Sequence, residues 1–170
     1  DGGFSWSFQK AFNAHRNGEA LGALFFEADG DGDPDLYVAY GGYENPEGSP
    51  LLRDQLYLND GTGKFPAAPA NNLPDIRTSS SVVSAADADR DGDLDLFIGG
   101  RVIPRNYPGH PPSRLLLNDG HGRFSDVTDR RAPALLSSGL VTGACWSDVD
   151  NDGWLDLMVC HEWGPVKFYH

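Results

Sequence analysis

Acidic side chains recur at alternate positions in three short stretches: Glu27, Asp29, Asp31, Asp33 and Asp35; Asp87, Asp89, Asp91, Asp93 and Asp95; and Asp148, Asp150, Asp152 and Asp156. In the frame these define, an acid stands at positions 1, 3, 5 and 9 of every copy, and Gly32, Gly92 or Gly153 stands at position 6. A tight turn at that glycine can aim alternate carboxylates at a single hard cation. Calcium takes about 6 to 8 oxygen ligands, whereas magnesium holds a compact octahedron and keeps its waters, so calcium is the better match. The expected side-chain ligands are Glu27, Asp29, Asp31 and Asp35, then Asp87, Asp89, Asp91 and Asp95, then Asp148, Asp150, Asp152 and Asp156. At position 7, Asp33, Asp93 and Trp154 would offer backbone carbonyls. Without an ion, like charges about 4 Å apart repel by roughly 4 kcal/mol at an effective dielectric near 20.

The rest of the composition agrees. The formal charge is −12, but the three ladders hold five, five and four of the 25 Asp and Glu residues, leaving 11 acids against 13 Lys and Arg. A chain close to neutral outside its loops lacks the basic stripe that nucleic-acid binding requires. About three calcium ions per chain would bring the charge to about −6. No apolar run reaches the length of a membrane span. With 39% apolar residues, 21 Gly and 12 Pro in 170 residues, the chain reads as globular and turn-rich. It starts at Asp1, which is expected of a mature form or, as favoured here, a piece of something longer.

The elements that must position the ladders follow from a period. Asp35, Asp95 and Asp156 are 60 and 61 residues apart, and a second motif recurs in step, Asn59-Asp60-Gly61 through Phe65 and Asn118-Asp119-Gly120 through Phe124. Units of this length point to propeller blades or solenoid repeats. Short apolar runs flank each ladder, from 21 to 26, 81 to 86 and 140 to 147 before it and from 36 to 40, 94 to 98 and 155 to 159 after it, and they read as strands. Asn-Asp-Gly then turns a third strand into a fourth, because these residues accept positive φ. Position 12 is Val38, Ile98 or Val159 rather than the closing Glu of an EF-hand, and no helical apolar period is evident. The expectation is an all-β chain, one propeller segment over 1–170 made of three four-stranded antiparallel blades, with repeats 1–59, 60–118 and 119–170. Asp1 to Phe4 aligns with the Asn-Asp-Gly turns. The blades are therefore circularly shifted, with Phe4 to Phe12 supplying a fourth strand and the third unit lacking its own.

These ladders, the strand that follows each and the Asn-Asp-Gly turns resemble the FG-GAP, or VCBS, repeats of calcium-binding β-propellers, a kind also found in integrin α chains. More narrowly, Gly99 to Pro108, Arg114 to Gly120, Phe124 to Thr128 and Glu162-Trp163 resemble the propellers of cartilage-acidic-protein-like proteins that carry an ASPIC/UnbV domain. The chain departs from the pattern at Glu27, which stands where Asp is usual, and residues 1–170 do not include an ASPIC/UnbV domain. In integrin-like propellers the calcium loops face one side and the connections between second and third strands face the other. Here two of those connections, Ala39 to Gln55 and Gly99 to Arg114, are long and carry Tyr40, Tyr43, Arg101, Arg105, Tyr107 and His110, and the shorter third offers His161 and Trp163. Exposed aromatic and Arg side chains on such loops suit glycan or protein recognition, and packing against neighbouring blades is the plainer alternative.

Cys145 and Cys160 flank the third ladder on strands expected to pair. A disulfide and two thiols both remain open, since bridging needs Cα atoms within about 7 Å. The five histidines show no paired ligand spacing, and neither a Gly-x-Ser-x-Gly elbow nor a phosphate-binding Gly loop occurs. The expected function is non-catalytic: a calcium-stabilised, secreted or cell-surface repeat segment for adhesion, assembly or glycan and protein recognition. Its expected partners are the remainder of a longer propeller chain or other copies of itself. A carbohydrate-active lyase with catalytic His, Arg or Tyr opposite the calcium loops, and a purely structural repeat, are the alternatives.

Overall fold

The computed structural model describes residues 3–170. Ten strands form three antiparallel sheets. The first holds β1 (Glu19–Phe26), β2 (Asp35–Gly41) and β3 (Gln55–Tyr57); the second holds β4 (Ser79–Ala86), β5 (Asp95–Val102), β6 (Arg114–Asn118) and β7 (Phe124–Asp126); the third holds β8 (Val141–Ser147), β9 (Asp156–His161) and β10 (Lys167–Tyr169). Within each sheet, strands are ordered as in the chain. The only α-helix among the described residues is one turn, α1 (Thr128–Arg131).

The three units repeat in register. Phe26 lies opposite Asp35, Ala86 opposite Asp95 and Ser147 opposite Asp156, so each ladder closes a hairpin whose second strand opens on its position-9 Asp. A register shift recurs near the start of β1, β4 and β8, between Ala20 and Gly22, Ser80 and Val82, and Val141 and Gly143. β1 packs against β4, and β4 against β8. The approach is close: a Cβ added at Gly22 would collide with the Ser81 carbonyl oxygen, so only Gly fits.

Period-two alternation divides the core. Tyr37 and Ala39 of β2 join Leu96 and Ile98 of β5 between the first two sheets, where Phe26, Leu56, Leu116 and Phe124 complete the cluster. Phe97 on the other face of β5 joins Leu115, Leu135, Val141, Leu157 and Val159 between the second and third sheets. The outer face of the first sheet, with Leu36, Val38, Tyr40 and Tyr57, is covered by Ala11, Phe12 and Phe65. None of these clusters joins the first sheet to the third.

The fourth strands differ from expectation. Only the second sheet has one, β7, among the described residues. After the Asn59 turn the chain pairs with β3 at a single bridge, Tyr57 with Ala67. Pro66 and Pro69 flank that bridge, and proline supplies no N–H for a ladder. The segment expected to supply a strand from Phe4 to Phe12 does not pair either: residues 4–9 lack regular structure, and Lys10–His15 form a 3₁₀ helix whose Phe12 ring packs on Tyr57 at 4.7 Å. Asp1 and Gly2, where the repeat alignment begins, lie outside the described residues. Cys145 and Cys160 are free thiols: Cys145 sits opposite Met158 and Cys160 opposite Gly143, so the two side chains are two registers apart rather than facing.

Candidate metal centres

Each ladder loop is held by hydrogen bonds that recur at equivalent positions. The position-1 carboxylate accepts the N–H of the position-6 glycine: Gly32 to Glu27 at 2.8 Å, Gly92 to Asp87 at 3.2 Å and Gly153 to Asp148 at 2.9 Å. The position-9 carboxylate accepts the N–H of position 2: Ala28 to Asp35 at 2.9 Å, Ala88 to Asp95 and Val149 to Asp156 both at 3.0 Å. Positions 4 and 6 are left-handed throughout, with φ of 82° and 90° in the first loop, 64° and 99° in the second, and 60° and 87° in the third. Gly or Asn tolerates this at most of these positions; Arg90 alone adopts it with a long side chain, which stacks over the Trp154 ring at 3.8 Å and links the second loop to the third.

The result brings three carboxylates together in each loop. Glu27, Asp29 and Asp35, then Asp87, Asp89 and Asp95, then Asp148, Asp150 and Asp156 each place one oxygen within 4.8 Å of the others, close enough to share an ion. Asp31, Asp91 and Asp152 stand outside these triads. Each accepts the position-7 N–H at 2.7 to 3.0 Å, which fixes the turn. The Asp33 and Asp93 carboxylates lean on the following turns at Gly61 and Gly120.

A cation fits the donor set. Buried oxygens of Asp29, Asp87 and Asp89 have no hydrogen-bond partner, a costly condition for a carboxylate unless an ion completes it. Burial, with repulsion from neighbouring acids, pushes the Asp95 carboxyl up to about 6 and raises Asp35 and Asp29 above their usual range. Asp156 is instead held low by the Val149 N–H and by His170, whose Nδ1 lies 2.6 Å from its Oδ1.

Position 9 also ties the loop to the next strand. Asp35 Oδ1 accepts the Asn59 N–H at 2.7 Å and Asp95 Oδ1 the Asn118 N–H at 2.9 Å. Asn118 then reaches across the sheet boundary, its Nδ2 donating to the Ala28 carbonyl at 2.9 Å. Asn118 is thus a connector between loops of neighbouring units, whereas the equivalent Asn59 Nδ2 donates to the Pro34 carbonyl of its own loop at 3.1 Å.

At the opposite ends of the sheets lie the connections expected to recognise a ligand. Tyr107 and Trp163 meet edge to face at 5.4 Å, and Glu162 accepts Arg101 Nη1 at 2.6 Å and the Tyr107 hydroxyl at 2.8 Å. Tyr43, Arg101 and Tyr107 line one cleft of about 260 Å³, and His110 and Trp163 another of about 380 Å³. Arg105 is exposed beside them. Tyr40 is not part of this surface: it is a buried residue of β2, its ring 5.4 Å from His15 in the cluster under the N-terminal segment. Glu162 and Lys167 complete the surface, and neither repeats between units, so periodicity gave no sign of them.

Among the described residues no helix is long and apolar enough to cross a membrane. No curated protein matches the chain. The FG-GAP-like repeat, however, matches residues 27–98 and 105–159, most of the sequence and all three triads. The match concerns the repeat itself and does not extend to the narrower likeness with ASPIC/UnbV-type propellers. With three ladders, three hairpins and three triads in one repeating frame, the chain belongs to the FG-GAP-like repeat family.

Proposed function

We propose that the chain is a calcium-stabilised β-propeller-type segment, outside the cell and without catalytic activity, that serves adhesion, assembly or recognition. The observation that carries this reading is the recurrence of a carboxylate triad at equivalent positions of three repeats, with orphaned buried oxygens in two of them. Calcium would be held by these triads, with position-7 carbonyls and waters completing its shell; it supplies charge neutralisation that fixes loop to strand. The sites lie at one end of each sheet and the ligand-facing connections at the other, which separates stabilisation from recognition.

The partner expected for assembly is more of the same architecture. Phe124 of β7 packs among Ala28, Leu56, Leu58, Leu94 and Leu116 between the first two sheets. Their repeat counterparts Ala88, Leu115, Leu117, Leu155 and Tyr169 line an apolar cavity of about 180 Å³ between the second and third sheets. A fourth strand beside β10, from a longer chain or another copy, would put its own aromatic there.

Elemental analysis after gel filtration in calcium tests the metal assignment. About three ions per chain are expected, and about one fewer in each of Asp29→Ala, Asp89→Ala and Asp150→Ala. Fewer than two ions in the unsubstituted chain would contradict the reading.

A further inference from the structure

The 380 Å³ cleft at the end of the sheets away from the triads carries chemistry of its own. Its volume lies within the range of small-ligand sites, about 300 to 1,000 Å³. His161 Nδ1 lies 2.9 Å from the Pro165 carbonyl, which can only accept, so in the neutral ring Nδ1 carries the proton and Nε2 is an acceptor. That Nε2 is buried without a partner, and so is Nδ1 of His110 on the same lining. Lys167 Nζ donates to the Ser138 carbonyl at 2.6 Å and keeps two further donor hydrogens. At the rim Trp163 is 80% exposed, and its backbone sits at φ 59°, a conformation uncommon for a bulky residue. Its neighbours Tyr107 and Glu162 are fixed by the Arg101 ion pair, so the ring stands on a supported ridge.

We infer that this cleft binds a pyranose unit of a glycan. A sugar ring presents a C–H face that suits the open Trp163 indole, and hydroxyls that donate and accept at once. Such hydroxyls accept from the Lys167 ammonium and donate to the Glu162 carboxylate on the same lining. A purely apolar ligand would take water from the Lys167 ammonium and the Glu162 carboxylate without replacing its hydrogen bonds. A phosphorylated ligand, carrying nearly two negative charges, would find Lys167 as the one Lys or Arg of the lining, beside Glu162 and within a chain of charge −12, whereas a uronate brings a single charge that one lysine matches. The inference rests on the recognition half of the proposed function and names its ligand class.

The test is an immobilised array of neutral hexose and hexuronate oligosaccharides probed with the full chain in calcium, followed by titration calorimetry on the best-retained oligosaccharide. Retention of a neutral or a uronate oligosaccharide is expected, with affinity falling about tenfold in Trp163→Ala and kept within about threefold in Trp163→Phe. Lys167→Gln separates the two sources of the pyranose, weakening uronates and sparing neutral sugars. Retention of no oligosaccharide, or equal affinity in Trp163→Ala, overturns the inference. Trp163 is exposed, so its loss leaves folding intact. Metal stoichiometry is read separately, so a failed array leaves the calcium assignment standing and the reverse holds as well.

Discussion

At the scale of single residues, the position-9 aspartates carry the greatest weight. Asp95 is fully buried, belongs to a triad and accepts two backbone N–H groups, from Ala88 and Asn118. Asp91 accepts only the N–H of Asp93 and is exposed. Hydrogen bonds to a charged group contribute about 1.5 to 3 kcal/mol, so Asp95→Ala should cost at least about 3 kcal/mol in chemical denaturation and Asp91→Ala distinctly less. Equal losses would contradict the greater weight assigned to position 9. Asp54 offers a second test, away from the metal. Burial raises its carboxyl to about 6, although Ser80, the Tyr40 N–H and Tyr37 all donate to it. Because the folded state holds this proton more tightly than the unfolded chain, Asp54 makes stability fall as pH rises from about 4 through about 6. Asp54→Asn should flatten that part of the melting profile, and an unchanged slope would contradict the assignment. The triads were legible in the sequence because alternate carboxylates around a glycine turn converge, whereas the turn-fixing role of Asp31, Asp91 and Asp152, expected as ligands, was not. Nor was Asp54, since its counterpart in the next repeat is Ser113, which accepts the Gly100 N–H in the same way.

At the scale of elements, the hairpins and the fourth strand of the second sheet were legible, and the absence of the other fourth strands was not. Alternation and Asn-Asp-Gly turns locate β1 to β9, because a strand buried on both faces is apolar along most of its length, as β2 is after Asp35 and β5 is from Leu96 to Gly100. A strand at a sheet edge depends instead on which donors the backbone keeps. Pro66 and Pro69 remove two of them, and the Phe4, Trp6 and Phe8 alternation resembles a strand while finding no ladder to join. Adjacent sheets then depend on close backbone approach. Gly22→Ala, forced against the Ser81 carbonyl, should destabilise by about 1 to 3 kcal/mol, read from the denaturation midpoint. A variant as stable as the parent would mean that β1 and β4 can move apart without cost. Loop-to-loop contact is worth less: Arg90→Ala should lose about 0.5 to 1 kcal/mol, the usual scale of an exposed cation–π pair.

At the scale of the whole molecule, an acidic chain is held by sheets that meet through two shared cores, and its charge is concentrated where the repeats meet solvent at one end. The repeat architecture explains the first feature, since every blade-like unit needs a neighbour to bury its second face, and the proposed calcium accounts for the second by completing each carboxylate triad. Ions bound only by the folded state add RT ln(1 + [L]/Kd), about 4 kcal/mol per site at a thousandfold excess over Kd. Scanning calorimetry of the chain in millimolar calcium and again after chelation therefore measures the central claim. The melting temperature should fall markedly on chelation and recover when calcium is restored, with magnesium restoring less. A melting temperature that chelation leaves unchanged would contradict the account, leaving the triads as acidic turns that hydrogen bonds alone hold in place.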